Sequence, residues 1–298
     1  MLKLKNLKTR IKLAPYTTYK IGGPADYFVA AASAAELLTA IREARGAQVP
    51  YFILGTGANI LIGDRGFRGL VIHNRANQIS SSGSKVVAAS GAVVSDVIEF
   101  CAQKGLSGLE HFAGIPSSIG GAIWQNLHFL APDRESTIFI ESVIKSAKIL
   151  DENGKIKKVD KDFFKFGYDD SILHHRQIIV LEVEFQLLNK SPESIRSQIE
   201  SNLAWRRQHQ PQLDEFASCG SVFKKIEGVG AGRLIDKVGL KGKRIGGAEV
   251  SAKHANYLIN KNKATATDVM KLIELVQKEV QTATGYLLEP EISFIGEF

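Results

Sequence analysis

Cysteine is scarce: Cys101 and Cys219 are the only two in 298 residues, and they form no C-x-x-C pair. That argues against a dithiol redox motif or a cysteine-ligated zinc site, and a reducing compartment is expected. Long apolar runs are missing as well. Met1 to Lys12 alternates Lys or Arg with Leu, and no stretch with the length of a signal-peptide core or a membrane span follows, so the expectation is a cytoplasmic protein with no membrane partner. Massed charge is also lacking. The net charge of +7 is scattered, with only Lys241 to Arg244 and Arg206-Arg207 close to clusters, which points away from nucleic acid. Internal repeats and low-complexity tracts are absent.

What is present is ordinary globular usage, with 44% apolar and 23% charged residues, so the chain should be folded throughout. Its length exceeds that of one usual hydrophobic core, which predicts two or three compact units. Ser33 to Glu36 has capping-box spacing before Leu37, Leu38 and Ile41, a short helix ending at Gly46. Tyr51 to Leu54 reads as a buried strand. Ser95 is the expected cap of a second helix carrying Val97, Ile98 and Cys101 and stopped by Gly105. Strands are expected at Val143 to Leu150 and Ile178 to Leu188, and Ser191-Pro192 opens a further helix through Ile195, Ile199 and Leu203. The plainest helix starts at Thr265 with Asp268 three residues on, places Val269, Leu272, Ile273, Val276 and Val280 on one face, and ends at Gly285. Strands interleaved with helices give an α+β chain. The expected divisions are residues 1–72, 73–190 and 191–298.

Two glycine loops carry the chemistry. Gly55-Thr56-Gly57-Ala58-Asn59-Ile60 follows the Tyr51 strand and begins like a dinucleotide fingerprint, but its third glycine is missing. Gly114-Ile115-Pro116-Ser117-Ser118-Ile119-Gly120-Gly121 has neither the lysine of a P-loop nor the order of a hydrolase elbow. Glycine loops mostly make tight turns, yet successive backbone N–H groups in two facing loops can clasp a pyrophosphate.

Taken with Tyr16-Thr17-Thr18-Tyr19-Lys20-Ile21-Gly22-Gly23-Pro24-Ala25-Asp26-Tyr27 and with Trp124-Gln125-Asn126, these loops resemble the flavin-binding half of the UDP-N-acetylenolpyruvoylglucosamine reductase family. The resemblance runs from about Tyr16 to Gly296. It implies a two-part FAD-binding region of the vanillyl-alcohol-oxidase/PCMH type and a C-terminal α+β substrate-binding domain. It also implies that NADPH reduces FAD and that the flavin then reduces UDP-N-acetylglucosamine enolpyruvate to UDP-N-acetylmuramate, a peptidoglycan precursor. By position, Gly55, Thr56, Gly57, Ala58, Asn59 and Ile60 lie along the FAD pyrophosphate, with Gly114, Ile115, Pro116, Gly120 and Gly121 on the other side. Ala58 stands where the family has serine.

The segment Ser218-Cys219-Gly220-Ser221-Val222-Phe223-Lys224 resembles the one that supplies the family's proton donor, which gives that role to Ser221. In Leu288-Glu289-Pro290-Glu291-Ile292, Glu291 takes the place of the catalytic glutamate. If Ile292 and Phe294 face the core, alternation turns Glu291, Ser293 and Ile295 the other way. Lys224, Lys241, Lys253 and His254 are candidates to attract the nucleotide diphosphate. No metal is expected, since His174 and His175 lack ligand spacing. A monomer or weak oligomer is expected.

Two stretches depart from the pattern. Phe166-Gly167-Tyr168-Asp169-Asp170-Ser171 has Asp169 where the family has arginine, and a carboxylate cannot replace a guanidinium beside a developing enolate. Arg176 is the candidate substitute on proximity, with Arg206 or Arg207 behind it. Leu127 to Glu135 replaces a short run of small residues. These departures leave open another FAD-dependent oxidoreductase of the same superfamily, or a flavin- or UDP-sugar-binding protein without catalysis.

Overall fold

A computed structural model describes residues 2–226 and 228–298. The chain forms two compact units, and neither is a single stretch of sequence. The first comprises residues 1–6, 29–56 and 72–205; the second comprises 7–28, 57–71 and 206–298. The expected divisions at 72/73 and 190/191 were sequential, whereas the units are interleaved. Two strands, Pro24–Ala31 and Phe67–Asn74, run through a unit boundary, so local composition carries no linker signal there.

In the first unit, α1 (Ala34–Gly46) is capped by Ser33, whose side chain accepts from the Glu36 N–H as its spacing predicts. The next helix, α2 (Val94–Gln103), corrects an expectation: Val93, not Ser95, occupies the cap position. The Val94 N–H donates to Ser117 O at 2.8 Å, so the backbone of a neighbouring segment satisfies the helix end and no side-chain cap is required. α3 (Ile119–Trp124) is short, and Ser118 caps it by accepting from the Gly121 N–H. α2 and α3 accompany a five-stranded antiparallel sheet in the order 156–160, 144–150, 179–186, 85–89, 79–82. Its core holds Val86, Val97, Phe112, Ile119, Ile123, Ile149, Phe164, Val183 and Phe185. The expected strand Ile178 to Leu188 is Ile179–Gln186 followed by a separate pairing of Leu188–Asn189 with Leu106–Ser107. A hairpin of His128–Leu130 with Thr137–Phe139 occupies the departing segment.

α4 (Pro192–His209) begins as its proline predicts and crosses from the first unit into the second at Trp205/Arg206. The second unit contains α5 (Ala231–Lys237), α6 (Ala266–Thr284) and an antiparallel sheet in the order 217–221, 257–260, 248–250, 244–245. α6 starts with a complete capping box between Thr265 and Asp268 and ends on Gly285 in the left-handed region. Its buried stripe is Val269, Leu272, Ile273, Val276 and Val280, each contributing about 1.5–3 kcal/mol of transfer free energy. Asp64 accepts hydrogen bonds from the N–H groups of Ala266 and Thr267, tying an early segment to this late helix. Ser293–Ile295 pairs in parallel with Ile60–Ile62. Within that strand the expected alternation fails at Phe294, which is 39% exposed and packs on Phe298, while Ile292 is buried as expected. The strand begins only at Ser293, so the period-2 argument cannot be carried back through Glu291.

Candidate active site

Within the first unit, the two glycine loops come together. A Cβ on Gly55 would fall 2.3 Å from Ser118 Oγ, and Thr56 Oγ1 donates to Pro116 O at 2.7 Å. Gly114 has φ +82°, and the Gly120 N–H donates to Ser90 O at 2.7 Å. In the second unit, Gly57 has φ +66° and a Cβ there would lie 2.5 Å from Tyr16 O. Gly57 is therefore held to glycine by its positive φ and the Tyr16 backbone, and Gly55 by the Ser118 hydroxyl. The N–H groups of Ile115, Gly120 and Gly121 already donate to Phe112 O, Ser90 O and Ser118 Oγ, so a pyrophosphate here would take its peptide hydrogen bonds from the Gly55 loop, where replacing serine by Ala58 removes only one hydroxyl. Ile115, Asn59, Ile60 and Gly121 continue these same segments, and the Ser293 N–H donates to Asn59 O.

The second unit brings Ser221 and Glu291 close in the backbone. Ser221 ends the strand Ala217–Ser221, after a register shift that follows Ser218 and a left-handed Gly220 with φ +85°. The Glu291 N–H donates to Val222 O at 2.7 Å, Phe223 bridges Pro290, and the Lys224 N–H donates to Glu289 O. Asn256 fixes Phe223 from the other side through both its amide groups. Tyr257, the strand partner of Ser221, is buried, and desolvation pushes its phenol up to about 12 against the opposing influence of Arg206. Arg206 donates a hydrogen bond to Tyr257, and burial lowers its own pKa. Glu291 lies close enough to raise both Tyr257 and Cys219. Cys219, buried beside Tyr19, is pushed up by desolvation and is a thiol at neutral pH. The Tyr19 hydroxyl donates to Leu258 O at 2.8 Å.

The four candidate diphosphate residues separate. Lys224 pairs with Glu289, Lys241 with Asp236 and Lys253 with Glu215, all at the surface, where such pairs are weak and readily exchanged for an anionic ligand. His254 is packed against Tyr257, and its Nδ1 accepts from the Asn256 N–H, which places the neutral-ring proton on Nε2. Burial lowers its pKa, and the charges of Lys241 and His209 lower it further. Lys241 and His254 thus share a positive neighbourhood.

In the first unit, Arg176 holds Glu152 through Nε and Nη2 at an exposed site. Asp169 is buried, in the left-handed region with φ +54°, and its Oδ1 lies 3.7 Å from His128 Nδ1. Among the described residues no cluster of metal-ligating side chains occurs, and His174 and His175 interact instead with Asp170. Sequence reasoning missed two pairings, Arg206 with Tyr257 and His128 with Asp169. Arg206 was visible as part of a basic pair and His128 and Asp169 as departures from the family pattern, but nothing local joins them to their partners or points to Tyr257.

The family model for the UDP-N-acetylenolpyruvoylglucosamine reductase C-terminal domain matches residues 210–295, and the FAD binding domain model matches residues 25–160. UDP-N-acetylenolpyruvoylglucosamine reductase of Clostridium novyi is 38% identical over 298 residues, covering 100% of this chain and 94% of that protein. The enzyme of that name from Clostridium perfringens strain SM101 is 40% identical over 285 residues, covering 95% and 91%. The crystal structure of UDP-N-acetylenolpyruvylglucosamine reductase from Thermus caldophilus superimposes with a TM-score of 0.82 at 29% identity, over 97% of this chain and 99% of that one.

Proposed function

Because the chain belongs to the UDP-N-acetylenolpyruvoylglucosamine reductase family, and is an FAD-dependent UDP-N-acetylmuramate dehydrogenase, we propose that Ser221 and Glu291 act on its substrate and Arg206 and Tyr257 position them. When bound, FAD would supply the hydride chemistry, with NADPH as reductant, by which the terminal methylene carbon of the enolpyruvyl ether gains a C–H bond. As that C–H bond forms, the alkene electron pair moves to the carboxylate-bearing carbon, and Ser221 delivers the proton that completes UDP-N-acetylmuramate. Glu291 stands with Ser221 at the enolpyruvyl group, where it can meet growing negative charge only as a hydrogen-bond donor. Gly55 to Ile60 and Gly114, Ile115, Pro116, Gly120 and Gly121 hold the FAD pyrophosphate. Lys241 and His254 attract the substrate diphosphate, with Lys224 and Lys253 at its margin. Arg176 is left out because its guanidinium is engaged by Glu152.

One observation carries the reading: the Glu291 N–H to Val222 O bond joins two segments 70 residues apart in sequence and brings the glutamate beside the serine (Glu291 to Ser221). Among the described residues no helix is long and apolar enough to cross a membrane, and both cysteines are free and buried, which supports work in the cytoplasm. The test is anaerobic. Protein reduced by NADPH is mixed with UDP-N-acetylglucosamine enolpyruvate while flavin absorbance and UDP-N-acetylmuramate are followed. Reoxidation with product is expected. Reduced flavin that reacts only with oxygen would point to an oxidase, and bound but inert substrate to a silent binder, the outcome that Asp169 favours.

A further inference from the structure

The second unit holds a cavity of about 460 Å³, and none of the described residues that line it is among those given to flavin or substrate. Arg233, Leu234 and Lys237 of α5 form one wall, Thr284 at the end of α6 another, and Tyr286 stands just past the α6 cap. Arg233 and Lys237 are four residues apart on a helix, the spacing that puts two side chains on one face. Both are exposed cations, so they repel each other across a single turn.

The neighbouring acid does not answer that charge, because Asp236 pairs with Lys241 at 2.7 Å. Among the described residues the side chains of Arg233 and Lys237 form no hydrogen bond or ion pair. Nor are they the cap of α6: its Val280 and Gln281 carbonyls accept from Thr284 Oγ1 at 2.7 Å and from the Gly285 N–H at 2.9 Å. The rest of the cavity is apolar. Leu234 is buried and Val229 half-buried beneath the cations, and Tyr286, 43% exposed, offers a flat ring at the rim, its N–H donating to Thr284 Oγ1.

Each part suits a different part of one ligand. The guanidinium fork and the ammonium match phosphate oxygens, and a phosphate monoester carries a charge of about −1.5 to −2 at neutral pH, enough for two cations. The tyrosine ring and the apolar floor match a flat ring. A bare oxyanion would leave that floor uncovered, and an uncharged ring would leave both cations unanswered. The cavity also falls within the roughly 300–1,000 Å³ usual for small-molecule sites. We propose that it is a second ligand site, apart from the one that holds the enolpyruvyl substrate, and that it takes a small aromatic phosphate. The proposal does not rest on the reductase reading.

The experiment titrates oxidised holoenzyme with phenyl phosphate by calorimetry and repeats the titration with inorganic phosphate. The same titrations are made on Arg233→Gln, Lys237→Gln, the double variant and Tyr286→Ala. Wild-type protein should bind phenyl phosphate saturably with a Kd of about 0.1–1 mM, and inorganic phosphate about tenfold more weakly. Each single loss of a cation should weaken binding about tenfold and the double variant should show none, while Tyr286→Ala should cost about three- to tenfold. Melting temperature and the rate of flavin reduction by NADPH should be unchanged in all four, since these are surface positions outside the site described above. Saturating UDP-N-acetylglucosamine enolpyruvate should leave phenyl phosphate bound. No saturable binding by the wild type, or equal affinity in the double variant, overturns the proposal. Inorganic phosphate binding as tightly as phenyl phosphate reduces the cavity to a patch of charge and overturns it too, and displacement by the enolpyruvyl substrate does so by making the cavity part of the substrate site.

Discussion

Glu291 and Asp169 are both carboxylates at positions singled out for charge, and the chain holds them by different means. Glu291 is fixed through its backbone, by the bond to Val222 and the bridge between Phe223 and Pro290, next to a strand whose pairing shifts register between Ser218 and Ser221. Asp169 is fixed through its side chain, on a left-handed residue beside a short 3-10 turn, with an imidazole from a separate hairpin. The difference shows where a site can be rewritten. A backbone bond holds a position whatever side chain it carries, so a group there can be exchanged singly, whereas loop residues that meet through side chains must be exchanged together.

The largest expected effects test the backbone-held side. Ser221→Ala should cut kcat by about 10²–10⁴-fold, the usual span for a lost general acid, while stopped-flow reduction of the flavin by NADPH stays normal. If both half-reactions fell together, Ser221 would be a structural residue. Arg206→Met removes a charged hydrogen bond to buried Tyr257, and roughly a ten- to hundredfold loss in kcat/KM is expected from an interaction of ~1.5–3 kcal/mol. Unchanged kinetics would detach Arg206 from the site.

Stability offers the intermediate cases. Leu272→Ala empties a fully buried place on α6 and should cost about 2–5 kcal/mol in urea unfolding, against ~1 kcal/mol for Thr265→Ala, which removes only the cap. Alkali should weaken the first unit through Cys101, whose thiol burial pushes up to about 12 from 9.0. A folded-state value above the unfolded one means stability is complete below pH 9 and declines as pH rises toward 12, so melting temperature should fall across that window and fall less steeply in Cys101→Ala. The smallest effect is Arg176→Ala, for which unaltered turnover is expected. A large loss there would return the missing cation to Arg176 and break the contrast drawn above.

Legibility followed the range of the signal. The α6 capping box and stripe and the α1 cap are encoded within a few residues and were read correctly. Ser95 was misread as a cap because Ser117, 22 residues away in sequence (Ser117 to Ser95), satisfies that helix start. Phe294 was misread because alternation assumes a continuous strand, and the pairing begins at Ser293. The interleaved units were invisible because two of their boundaries lie inside strands and one inside α4. At the site, the glycine loops were legible as motifs, and so was the absence of arginine. That His128 meets Asp169, and that Arg206 meets Tyr257, follows from tertiary packing alone.

The parallel pairing of Ile60–Ile62 with Ser293–Ile295 joins segments 233 residues apart in sequence (Ser293 to Ile60). Synthesis at ~5–20 residues per second separates the two strands by on the order of ten seconds or more. Throughout that interval Leu61 and Tyr19, both fully buried in the finished second unit, have no core to enter. The nascent chain must therefore carry its early apolar segments open until Ser293–Ile295 leaves the ribosome, and a ribosome stalled before that point would display a completed first unit attached to an unfinished second one.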